Sequence, residues 1–209
     1  MANQLSSLLR GLSGRHLRVS GRSAALRDEH SNLWGSFLND GAELEAIEEA
    51  ERKLKLQFPT ALREFFLLAD GQKPNSPDLL MAPKNRSLRF LSVKEARDLT
   101  RYWTDMSESP LETRWWREAG WQTGYVPIGY APKLGIALCV SCKVGRVLRF
   151  TSPEVQASLS ASGVMHVADS LEDYLADLDD HLSGARQPFV LGPKNRKANA
   201  PPPRPEYSI

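Results

Sequence analysis

The hydrophobic pattern is sharpest between Glu43 and Gly71, where two short helical periods meet at a proline. Leu44, Ile47, Ala50 and Leu54 recur at helical spacing and predict an amphipathic helix. Glu43, Glu45, Glu48, Glu49 and Glu51 form its solvated face. Phe58-Pro59 interrupts the period, because the residue before a proline is driven out of the helical region. Pro59 can open the next helix, where its missing N–H costs nothing. Leu62, Phe65 and Phe66 give that helix its apolar face, and Asp70-Gly71 predicts its end through a left-handed glycine cap.

Elsewhere the pattern alternates between short strands and helices. Residues 31–38 predict a helix that packs Trp34 and Phe37, and Lys73 to Arg86 predict a loop. Leu88 to Leu91 predict a short strand. Ser92-Val93-Lys94-Glu95 has the spacing of a capping box, with Ala96, Leu99 and Trp103 as the apolar face of the helix that follows. Thr104 to Trp121 shows no clear period and predicts an irregular segment. Tyr125 to Gly129, Gly135 to Val140 and Arg146 to Thr151 predict strands, with Lys143-Val144-Gly145 as a hairpin turn and Met165 to Ala168 as a final strand. A last helix starts at Ser170 and buries Leu171, Tyr174, Leu175, Leu178 and Leu182. These elements predict an α+β fold, an antiparallel or mixed sheet with helices packed on its faces.

The string I-E-E-A-E-x-x-L-x-L-x-F-P, followed by L-R-E-F-F-L-L-A-D-G, resembles the opening of SUKH superfamily domains. The order of elements from Trp34 to Leu182 is similar to the superfamily's order throughout. The chain departs from it in having Phe58 rather than leucine before the proline, Asp70-Gly71 rather than Asn-Gly, and Cys139-Val140-Ser141-Cys142 where many members carry an aspartate. The resemblance implies a SUKH-like domain over residues 31–183, flanked by a basic N-terminal segment, 1–30, and a basic proline-rich tail, 184–209. It implies non-catalytic protein binding. The first reading is an immunity protein that neutralises a cognate toxin by direct binding. The alternative is an intracellular scaffold or regulator, as in fungal cell-wall synthesis.

Composition narrows the partner. The formal charge is +2, but residues 1–30 carry +3 and residues 184–209 carry +4, which leaves −5 for residues 31–183. An acidic body suits a basic protein partner, and it equally suits ordinary solubility. No apolar run approaches the ~20 residues that span a membrane. With no apolar leader segment evident, a cytoplasmic location is expected. The basic ends could touch phosphates, but neither has the interleaved aromatics of a nucleic-acid-binding strip, so no nucleic-acid partner is expected.

Candidate chemistry is sparse. Cys139 and Cys142 form a C-x-x-C at the end of a predicted strand, not at the helix N-terminus that would lower a thiolate pKa. His16, His30, His166 and His181 are scattered without ligand spacing, so no metal and no cofactor are expected. There is no G-x-S-x-G elbow, and no enzyme is expected. The tryptophans are more informative, because Trp103, Trp115, Trp116 and Trp121 crowd one region. Adjacent Trp115 and Trp116 cannot easily share one core. Either one is exposed beside Asp105, Glu108 and Glu112 as a partner-binding surface, or both pack beneath the loop.

Overall fold

The computed structural model describes residues 38–74, 80–82, 86–110, 113–153 and 163–182. Trp34, Phe37, Glu112, the basic N-terminal segment and the basic tail lie outside the described residues. The elements run α1 (Leu44–Leu54), α2 (Thr60–Leu68), β1 (Leu80–Ala82), β2 (Arg86–Phe90), α3 (Val93–Glu108), α4 (Thr113–Glu118), β3 (Tyr125–Ala131), β4 (Ile136–Ser141), β5 (Val147–Thr151), β6 (Val164–Ala168) and α5 (Leu171–Leu182). A single 3-10 turn, Pro132–Leu134, joins β3 to β4.

The fold is α+β, and the sheet is antiparallel throughout. Its six strands lie in chain order, β1 to β6. Every residue of β4 is buried, so this central strand is covered on both faces. Alternation along it separates two cores. Ile136, Leu138 and Val140 join a large cluster with Ile47, Leu62, Phe65, Phe66, Phe90, Tyr174 and Leu178. Ala137 and Cys139 point the other way, into a cluster of Trp103, Trp116, Trp121, Tyr125 and Phe150. Val126 and Ile128 face the large cluster by ordinary alternation, and a bulge between Pro127 and Gly129 sets Gly129 opposite Leu138 and so returns Tyr130 to the tryptophan side.

The helix pair forms as the pattern predicts, with Ile47, Ala50, Leu62, Phe65 and Phe66 fully buried. Phe65 meets Phe90 of β2 at a centroid distance of 4.5 Å. The corner is held by a residue expected only on the solvated face. Glu51 accepts from the Phe58 N–H at 2.7 Å through Oε1 and from Arg63 Nη1 at 3.1 Å through Oε2. One carboxylate thus ties the end of α1 to the start of α2.

Gly71 has a different role from the cap expected of it. The helix ends in an extended Ala69, and Gly71 lies beyond it at φ +78°. A Cβ there would meet Ser92 N at 2.5 Å. Its neighbour Asp70 accepts from the Val93 N–H at 2.7 Å. The Asp-Gly pair therefore docks the end of α2 onto the start of α3. At that start the capping box is complete: Ser92 Oγ accepts from the Glu95 N–H, and Glu95 Oε2 accepts from the Ser92 N–H.

Two further expectations are corrected. The loop from Lys73 to Arg86 contains β1, a three-residue strand at the sheet edge. The segment from Thr104 to Trp121 is largely helical, because α3 continues to Glu108 and α4 follows. Ser109-Pro110 separates the two helices, and Thr113 Oγ1 donates to the Ser109 carbonyl at the start of α4.

Candidate interaction surface

The α3–α4 region carries most of the residues that the sequence singles out. α4 is short, and its successive side chains diverge by the turn of a helix. Trp116 points inward and is 1% exposed, whereas Trp115 points outward and is 58% exposed. Trp116 packs against Trp103 at 6.1 Å and stacks on Phe150 at 5.8 Å. It is a core residue and not a contact residue, which corrects its place in the expected surface. Trp115 is the most exposed aromatic among the described residues, with Tyr102 on α3 next.

Asp105 and Glu108 are exposed on the last turns of α3, as a contact role requires. Their surroundings are not acidic, however. Asp105 Oδ2 faces Arg101 Nε at 3.7 Å, and Arg114 Nε donates to Glu118 Oε1 at 3.0 Å beside Trp115. Arg117 is also exposed there. The surface is an aromatic residue set among paired charges of both signs.

The acidic excess of the body lies elsewhere. α5 carries Glu172, Asp173, Asp177, Asp179 and Asp180 and no lysine or arginine. The acids of α1 are largely offset locally, since Lys53 pairs with Glu49 and Arg63 lies by Glu48 and Glu51. The Lys53 hydrogen bond and charge hold Glu49 below the usual carboxylate range. The acidity of α5 is visible in the sequence, where the acids interleave with the leucine stripe that signals the helix.

The cysteines offer no reactive thiolate. Both are free thiols, and they face opposite sides of the sheet. Burial among apolar groups pushes the Cys139 thiol far up, and burial with the nearby Glu51 charge pushes Cys142 up to about 12. No group of three or more His, Cys, Asp or Glu suited to a metal ion occurs among the described residues. His166 Nε2 lies 3.2 Å from Asp169 Oδ1 but lacks hydrogen-bond geometry to it. No helix among the described residues is long and apolar enough to cross a membrane.

Residues 41–177 match the model of the SMI1 / KNR4 family (SUKH-1). The matched span runs from just before α1 into α5 and takes in every strand of the sheet. A search of curated proteins finds no match.

Proposed function

This chain belongs to the SMI1 / KNR4 family (SUKH-1), and from that premise we propose that it is an immunity protein, neutralising a cognate toxin by binding it directly. Membership supports a general protein-binding, immunity-like role. The observation that carries the proposal further is Trp115, a large aromatic left 58% exposed on a helix whose next residue is fully committed to the core. Such a side chain has contact area to give and little freedom to lose, because Trp116 fixes the helix beneath it.

In this reading Trp115 supplies affinity, and the exposed Asp105 and Glu108 of α3 belong to the same binding surface. The acids of α5 add a long-range field that favours a basic partner. The site acts by occupation: the partner's working surface is covered, and no bond is made or broken. A scaffold of the same fold would use the same surface, and the partner's identity separates the two readings. The test is to isolate the protein that co-purifies with the full chain, and then to mix the two in pure form. A stoichiometric complex in which the partner's toxic activity is lost supports immunity. A complex that leaves the partner's activity intact supports the scaffold.

A further inference from the structure

α4 meets a distant part of the chain at its C-terminal end. Gly163 immediately precedes β6 and is buried against the last turn of that helix. A Cβ built on Gly163 would meet the Ala119 carbonyl oxygen at 2.1 Å and the Ala119 Cα at 2.7 Å. Both contacts are to backbone, so no side chain can turn aside to make room. This close approach is what requires a glycine. Across the same junction Gly120 follows α4 at φ +78°, and a Cβ there would meet Val164 Cγ2 at 3.1 Å.

The two sides of the junction are not equally firm. Gly163 is carried by the sheet: its carbonyl accepts from the Thr151 N–H at 2.6 Å, and Val164, Met165 and His166 pair in register with β5. α4 has six residues, too few to hold a helix unaided. Its last turn closes through the Ala119 N–H donating to the Trp115 carbonyl at 2.9 Å and the Trp121 N–H donating to the Trp116 carbonyl at 3.1 Å. A shift of Ala119 is therefore a shift of the turn that carries Trp115. We infer that Gly163 is a positioning residue for the Trp115 surface: the start of β6, acting through Ala119, sets the pose in which α4 presents the exposed ring. The inference rests on the reading of Trp115 as the binding anchor. Gly163 is itself buried and offers a partner nothing to touch.

The test is a double-mutant cycle on the full chain with the purified co-purifying partner, together with native-state hydrogen exchange of the full chain alone. In the wild-type background Gly163→Ala weakens binding about tenfold, within the coupling found between residues in contact. In the Trp115→Ala background it changes binding by less than about twofold, because the residue it acts through is gone. Gly124→Ala, where an added Cβ meets nothing within 4 Å, is the control and leaves binding unchanged in both. In Gly163→Ala the amides of Ala119, Gly120 and Trp121 lose protection while those of Phe65 and Phe66 keep it, a difference that a general loss of stability would not produce. In the wild type the Trp121 and Thr151 amides open together as parts of one junction, a readout that needs no variant to fold. Equal losses of binding from Gly163→Ala in both backgrounds overturn the inference. So does unchanged binding in Gly163→Ala where Trp115→Ala weakens it, and so does independent opening of Trp121 and Thr151. Unchanged affinity in Trp115→Ala overturns the anchor reading instead. The exchange of α4 then decides alone whether Gly163 positions the helix, and unaltered protection of Ala119, Gly120 and Trp121 in Gly163→Ala overturns that as well.

Discussion

Trp115 and Trp116 show how far one residue step can change a role. The sequence placed the two side by side and left two arrangements open, one exposed or both packed. The choice was made by α4, whose short helix turns one ring onto Phe150 and the other into solvent. Trp116→Ala is expected to cost about 3–5 kcal/mol in a urea melt, as for a large core aromatic. Trp115→Ala is expected to stay within about 0.5 kcal/mol of the wild type. The cysteines make a second prediction at this scale. A thiol whose pKa rises on folding keeps its proton longer in the folded chain than in the unfolded one. Its contribution to stability is therefore complete below the ordinary value of 9.0 and is lost as the pH climbs toward about 12. Cys139 and Tyr125 shift the same way through burial. Urea melts at stepped alkaline pH should show a falling limb above pH 9, less steep in Cys142→Ala. A reactive C-x-x-C pair would instead be modified rapidly by a thiol reagent in the native protein at neutral pH.

At the scale of elements, the strongest local signals were the ones that held. The helix pair was legible because a proline corner and two clean periods coincide. The capping box was legible because a Ser and a Glu three residues apart can each satisfy the other's backbone N–H. What escaped was built from weaker local signals. β1 is three residues long and exists by pairing with β2, so its own sequence need not announce it. α4 is six residues, too short to show a period, and its stability comes from Trp116 in the core. Glu51 looked like one of five surface acids, and only the return of the chain at Phe58 and Arg63 gives it a structural task. Two substitutions separate these levels. Phe65→Ala should cost about 3–5 kcal/mol, because the ring is fully buried against Phe66 and Phe90. Gly71→Ala should destabilise by more than about 1 kcal/mol, whereas the same change at a compatible backbone position stabilises by up to about that much. The positive φ of Gly71 and the Ser92 backbone 2.5 Å from the new methyl leave no room to relax. Denaturant midpoints of both variants, against the wild type, check the pair. A neutral Gly71→Ala would mean that the junction between α2 and α3 is not tightly fixed.

The whole molecule is an antiparallel sheet with a core on each face, and its two sides do different things. The large core on one face fixes the family fold, through the α1–α2 pair and α5. The tryptophan core on the other face fixes α4 and so holds Trp115 outward. Charge is distributed separately from this, with the acids concentrated on α5 and paired with bases around Trp115. The acidity of α5 was legible in the sequence, whereas the offset of Glu48 and Glu51 by Arg63 was not, because that pairing crosses from one helix to the next. The central claim is that binding runs through the α3–α4 surface, with Trp115 as its anchor. The direct measurement is titration calorimetry of the purified co-purifying partner against the wild type and Trp115→Ala, with both proteins first shown to melt alike. The account predicts that Trp115→Ala loses about 2 kcal/mol or more of binding free energy, mostly through faster dissociation. Charge reversal at Glu45 and Glu48 should leave affinity nearly unchanged. Wild-type affinity in Trp115→Ala, together with loss of binding on reversal at Glu45 and Glu48, would place the interface on α1 and contradict the account.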